Sequence, residues 1–169
     1  TLVQKVAVRL KDLGYQLFGD TEEVVRSGNR YGNDTCWRMT LDLNRILLYA
    51  NTDGTMSDKP KKYFSIVDGI TAMEGNGPVA GTPKATGVIV AGGNPLAVDL
   101  VCTKLMGFDY RKIPMLYRAL DTSVYKLANF DPKDIVVSSN IPAFDGRVFN
   151  RKDVLNLEFQ PHFGWVGHI

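Results

Sequence analysis

The stretch NPLAVDLVCTKLMG, residues 94 to 107, sets the strongest limit on how this chain can fold. It carries helix signals at both ends. Asn94 stands where an N-cap belongs, Pro95 at the first helical position and Gly107 where a left-handed residue closes the helix. Between them Leu96, Ala97, Val98, Leu100, Val101, Cys102, Leu105 and Met106 are apolar, and only Asp99, Thr103 and Lys104 are clearly polar. A surface helix shows one apolar stripe, whereas a helix apolar on most sides is covered on most sides. The rest of the chain therefore has to surround this helix.

Just before it, TGVIVAG at 86 to 92 is an almost unbroken apolar run. It reads as a central strand covered on both faces. YFSIV at 63 to 67 and DIVVSS at 134 to 139 read as two further strands from their β-branched and aromatic content. Helical spacing of Leu2, Val3, Val6, Ala7, Leu10 and Leu13 predicts a helix over 2 to 13, closed by Gly14. A second helix is expected over about 35 to 48, capped by Asp34 or Thr35, and another begins near Pro114. Residues 20 to 34 and the NTDG turn at 51 to 54 read as connections. Strands alternating with helices predict an α/β fold: a layered sheet of mixed or mainly parallel strands flanked by helices.

At 169 residues the chain has the length of one domain, so 1–169 is read as a single α/β domain. A content of 44% apolar and 22% charged residues is globular, and a net charge of +2 gives no reason to expect nucleic acid or an anionic membrane as partner. No apolar run approaches the ~20 residues that cross a bilayer. Cys36 and Cys102 form no C-x-x-C pair and read as reduced thiols of a cytoplasmic protein. The chain opens TLVQKVAVRL without Met, which reads as a fragment with upstream sequence missing.

The candidate site lies in DGITAMEGNGP, residues 68 to 78. Asp68 follows the YFSIV strand, and Glu74 and Asn76 fall in what reads as the loop behind it. Gly75, Gly77 and Gly81 allow close backbone approach. Carboxylates with an amide oxygen are hard ligands suited to Mg²⁺, Mn²⁺ or Ca²⁺. Asp99, near the start of the apolar helix, is the third carboxylate expected at the same rim of the sheet. If Asp68, Glu74 and Asp99 converge, they form a metal or ligand site. The alternative is that these residues cap turns and brace a rigid loop, with Asp99 bonding a neighbouring loop backbone. Arg38, Asp42 and Arg45 fall at i, i+4 and i+7 on one helical face, either as an ion-paired stripe or as a clamp for an anion. Lys84 is a lesser anion-binding candidate. The tail FQPHFGWVGHI holds both histidines, His162 and His168, and reads as a packed terminal segment.

Taken together, GNDTCWRMTLDLNRILLYA, DGITAMEGNGP, VIVAGGNPLAVDL, LMGFD and the tail HFGWVGHI resemble the family catalogued as domain of unknown function 362, DUF362, over roughly residues 30 to 169. That resemblance implies the C-terminal portion of a longer protein with another α/β part before it. Its motif positions here are Asp68, Glu74, Asn76 and Asp99. Some relatives carry ferredoxin-type cysteine clusters, which this chain lacks, so no iron–sulfur centre is expected in it. Two functions follow as expectations. One is an enzyme or enzyme part binding a divalent cation or a small anionic ligand. The other is a non-catalytic accessory or interaction domain. The sequence gives no oligomeric state.

Overall fold

A computed structural model describes residues 28–121, 124–152 and 156–169, together with residues 6, 8–10, 13 and 14. Helix α1 runs Cys36–Tyr49, a hairpin is formed by β1 (Ser65–Asn76) and β2 (Ala80–Gly92), and helices α2 (Pro95–Met106) and α3 (Pro114–Ala119) follow. Short 3-10 turns punctuate the remainder to Trp165. Residues 6, 8–10, 13 and 14 are helical, as the apolar spacing there predicts; the rest of that expected helix, and residues 20–27 of the expected connection, lie outside the described residues.

Helix α2 is the hub. Leu96, Val98, Leu100, Val101, Thr103 and Leu105 are all buried. Leu96 and Leu100 join Leu41, Leu48 and Tyr49 of α1, Leu116 and Ala119 of α3, and Leu127 in one apolar cluster. Val101 and Leu105 join Phe144 and Val148 in a second, against which Val88 and Val90 of β2 pack. One helix thus serves two cores, which is why its sequence has no polar side of ordinary width. Both ends are fixed as the sequence predicts. The Asn94 side chain accepts a hydrogen bond from the Ala97 N–H at 3.0 Å and donates to the Leu127 carbonyl at 3.1 Å. Gly107 is left-handed with φ 89°, and the N–H groups of Gly107 and Phe108 return to the carbonyls of Lys104 and Thr103, a Schellman closure. The next carbonyls are taken by the chain's tail: Leu157 N–H donates to Leu105 O at 2.6 Å and Phe159 N–H to Met106 O at 3.0 Å. The orphan acceptors of the helix end become the anchor of the C-terminal segment.

The sheet departs from expectation. Among the described residues it has two strands, and they are antiparallel. The fold is mixed α/β, and among the described residues the expected layered sheet of mixed or mainly parallel strands is not seen. The stretch DGITAMEGN is strand rather than loop, because the ladder from Ser65↔Gly92 to Asn76↔Ala80 gives its backbone groups partners despite the glycines. The ladder slips once between Gly69 and Thr71, where Thr86 and Gly87 oppose Ile70, and Gly87 takes φ 65°. That is a β-bulge with glycine at the left-handed position. β2 is covered on one face alone: Val88 and Val90 are half-buried, whereas Ile89 and Ala91 are exposed. Residues 134–139 form no ladder strand; Val137 makes an isolated bridge with Gly146. Neither Asp34 nor Thr35 caps α1. Asp34 is drawn to Trp37 and Arg38, and Thr35 makes no side-chain cap bond. Among the described residues no helix is long and apolar enough to cross a membrane.

Leu100 is fully buried where α2 meets α1 and α3. Leu100→Ala is expected to cost about 2–5 kcal/mol, the range for deleting a packed leucine. Gly107→Ala is expected to cost about 1 kcal/mol or more from the left-handed backbone, since only glycine occupies it freely. Denaturant titration of both variants measures these losses.

Candidate functional site

The hairpin's far end holds the chain's tail. Along β1, Glu74 shares a face with Lys84 of β2 as its diagonal neighbour, two residues from directly opposite, because Ala72 is the residue paired with Lys84. The Glu74 Oε2 accepts from Lys84 Nζ at 2.9 Å and from the Gln160 N–H at 2.9 Å. Gly75 N–H donates to the Gln160 carbonyl at 3.0 Å, so residues 74 and 75 grip both sides of one peptide position in the tail. Gly75 reaches this with φ 73°. Asn76 Oδ1 accepts from the Phe163 N–H at 3.1 Å. Lys84 Nζ donates a second bond to the Glu158 carbonyl at 3.2 Å and lies 5.2 Å from the centre of the Phe159 ring. Three motif residues and Lys84 therefore form one clasp over 158–163.

Beyond it the tail continues onto residues 28–31. Tyr31 N–H donates to Gly164 O, Trp165 Nε1 donates to the Asn29 side chain, and His168 stacks on Tyr31 at 3.9 Å. His162 Nδ1 accepts from the Gly164 N–H. A Cβ on Gly164 would sit 2.4 Å from the Asn29 carbonyl oxygen, so only glycine passes there. The tail is a packed terminal segment, as the sequence suggested.

The other expected site residues lie elsewhere. Asp68 is the fourth residue of β1, opposite Ile89, and its Oδ1 accepts from the Ile70 N–H beside the bulge. It lies six positions before Glu74 along the strand, about 20 Å of extended chain, whereas a shared cation needs each oxygen within ~2.6 Å. Asp99 is exposed on α2, and among the described residues it makes no hydrogen bond or ion pair, so the expected loop-backbone partner is not there. The apolar mass around it pushes its pKa up. Among the described residues no group of three or more His, Cys, Asp or Glu side chains is gathered as a metal site.

The arginine stripe divides too. Arg38 pairs with Asp34 at 2.7 Å, not with Asp42, and lies over Trp37; Asp42 pairs with Arg45 at 2.9 Å. Arg38 and Asp34 are 61% and 67% exposed, so that pair is worth little. Lys84 and Glu74 are 25% and 16% exposed, sheltered by the tail they hold.

The Lys84 ammonium first, and the Gln160 N–H second, hold the Glu74 carboxyl below its ordinary value of 4.5. A lowered folded pKa means the unfolded chain binds more protons in the acid range. The clasp's contribution is therefore complete above the unfolded value and fades as pH falls through the lower folded one. The two cysteines are free. Cys36 is exposed, while burial and then the Asp99 charge push the Cys102 thiol up to about 11.

Sequence reasoning missed Gln160 and Phe163 as partners of the motif. Both act through main-chain groups, which leave no side-chain signature, and nothing local links residue 74 to residue 160. The motif and the tail were each legible; their meeting was not.

A family model described as "Domain of unknown function (DUF362)" matches residues 11–104. The chain is also similar to the thylakoid-associated protein sll1697 of Synechocystis sp. (strain ATCC 27184 / PCC 6803 / Kazusa), 42% identical over 53 residues. That stretch is 31% of this chain and 16% of the relative, so the chain matches a small part of a protein about twice its length. No solved structure matches it.

Two measurements check this site. Glu74→Gln is expected to flatten the acid limb of a stability-versus-pH profile below about pH 4.5. In the unaltered chain, a thiol reagent at pH 8 is expected to modify Cys36 at once and Cys102 only on unfolding, read by mass spectrometry.

Proposed function

The chain belongs to the DUF362 family, and on that premise we propose that it is a non-catalytic accessory or interaction module whose motif residues brace its architecture. The observation that carries this reading is the doubly used oxygen of Glu74, which accepts from Lys84 Nζ and from the Gln160 N–H together. An acceptor committed to an ammonium and a backbone amide has little left for a cation, and displacing Lys84 would leave that charge half-sheltered and unpaired. Asn76 is spent in the same way on Phe163. On this reading the motif's polar side chains serve shape: they fasten 158–163 across the hairpin end and complete a surface there.

The competing reading is a divalent-cation or small-anion site at Asp68, Glu74, Asn76 and Asp99, with Arg38 or Lys84 holding the anionic group. It would require the hairpin to rearrange, since these groups now lie along a strand and on a separate helix. A cytoplasmic location belongs to the proposal. The thylakoid association is the relative's, and fractionation of the source cells tests whether it extends to this chain.

A thermal-shift screen with Mg²⁺, Mn²⁺ and Ca²⁺ separates the readings. The brace predicts no saturable shift with any of them. It also predicts that Glu74→Gln and Asn76→Ala each lower the Tm by a few degrees and speed proteolysis within 156–169. A saturable shift abolished by Asp68→Asn, in a variant whose Tm without metal is unchanged, would overturn it in favour of the cation site.

A further inference from the structure

A cleft of about 700 Å³ runs between β2 and residues 134–141. Every residue from Gly87 to Gly93 and every residue from Asp134 to Ile141 borders it, so each long wall is a run of main chain rather than a set of side chains. The floor is apolar, from Val88, Val90, Val98, Val101, Phe144 and Val148.

Both walls present unpaired backbone groups. Among the described residues β2 pairs with β1 alone, so every second residue of β2 turns its N–H and C=O outward, away from the hairpin. On the opposite wall Val137 gives both its N–H and its carbonyl to Gly146. Val136 and Ser138 therefore point theirs the other way, and among the described residues neither takes part in a backbone hydrogen bond. Burial alternates along this wall: Ile135, Val137 and Ser139 are half-buried, while Val136, Ser138 and Asn140 are exposed. That is the period-2 pattern of a strand without its ladder.

Unmatched donors and acceptors on two facing, extended walls specify an occupant that offers the same groups on both its sides. Only an extended polypeptide does so. A small apolar ligand would fill the floor and leave the walls unpaired, at the cost of a lost hydrogen bond for each group it dries. Seven residues of β2 edge span about 23 Å, room for a strand of ordinary length. Such a strand would also convert a two-stranded ribbon, marginal by itself, into a sheet of four, and remove the open edge of β2.

We propose that this cleft is the seat of one further β-strand, supplied by a segment of the same polypeptide outside residues 1–169, with apolar side chains at alternate positions toward Val98 and Val101. The source is argued from the comparison: the relative is about twice as long as this chain, so a protein of that kind has ample length to supply it. The inference goes beyond the brace reading and stands apart from it, because the clasp lies at the other end of the hairpin.

The test uses the whole gene product. Hydrogen exchange of the unaltered protein is expected to show the Val136 and Ser138 amides exchanging at least about 100-fold slower than free amides. The outward amides between Gly87 and Gly93 are expected to do the same. In parallel, Ser138→p-benzoylphenylalanine is irradiated and the linked peptides are sequenced. The expected product has monomer mass and joins position 138 to a segment outside 1–169. Four results would overturn the proposal: dimer-mass products, which would assign the slot to a second copy; links confined to 1–169; amides at free rates; or a gene product with nothing beyond these residues. Glu74→Gln leaves the expected exchange pattern in place, so failure of the clasp and failure of the slot are read separately.

Discussion

Everything else in the structure depends on the burial of one helix on two sides. Leu96 and Leu100 of α2 belong to one apolar cluster and Val101 and Leu105 to another, and α1, α3, the hairpin and the 144–148 segment each find their place by covering part of that helix. At about 25 cal/mol per Å² of apolar surface removed from water, four or five such side chains contribute several kcal/mol, comparable to a small domain's whole stability. Capping matters for the same reason. A helix end buried among other elements cannot rely on water for its orphan groups. Asn94 serves one end and links it to Leu127. At the other, Gly107 and the main chain of 157 and 159 take the last carbonyls.

The second consequence is a relay of hydrogen bonds along the tail, from the hub to the motif. The carbonyls of Leu105 and Met106 fix residues 157 and 159; Glu74, Gly75 and Asn76 then take 160 and 163; Gly164 and Trp165 finish on residues 29 and 31. Charge plays a limited part in this. The exposed Arg38–Asp34 pair decorates a helix, as such pairs usually do. The Glu74–Lys84 pair differs because the tail shelters it and because Gln160 adds a bond that only the ionised carboxylate accepts well. A carboxylate in a glycine-rich motif thus has a sufficient structural occupation.

The hairpin shows the opposite character. Its inner face rests on α2 and its outer face presents Ile66 and Ile89 to solvent, both more than half exposed. Helix α1 likewise turns Met39, Leu43 and Ile46 outward at i, i+4 and i+7, a stripe as regular as its buried one. An apolar run in sequence says that cover is wanted; it does not say that the cover is present. The expectation that β2 is central, made from TGVIVAG, met a strand with one covered face and, among the described residues, one free edge.

The sequence by itself determined the elements whose signals are local. Helix α1 and helix α2, the Asn94 cap, the Gly107 closure, two of the strand cores and the packing of the tail follow from side-chain spacing and from residues with narrow backbone preferences, and these act within a few residues of where they are written. Tertiary structure decided the rest. DGITAMEGN carries glycines that argue for a loop, yet a partner strand turned it into a ladder, because hydrogen bonds to the facing strand outweigh weak local preference. DIVVSS carries strand composition, yet without a ladder partner among the described residues it forms a single bridge. Asp68, Glu74 and Asp99 read alike on paper, but the pleat put two of them six residues apart on one strand and the helix carried off the third. Which side chains meet is a property of three-dimensional distance, and spacing along a chain fixes that distance only inside one element.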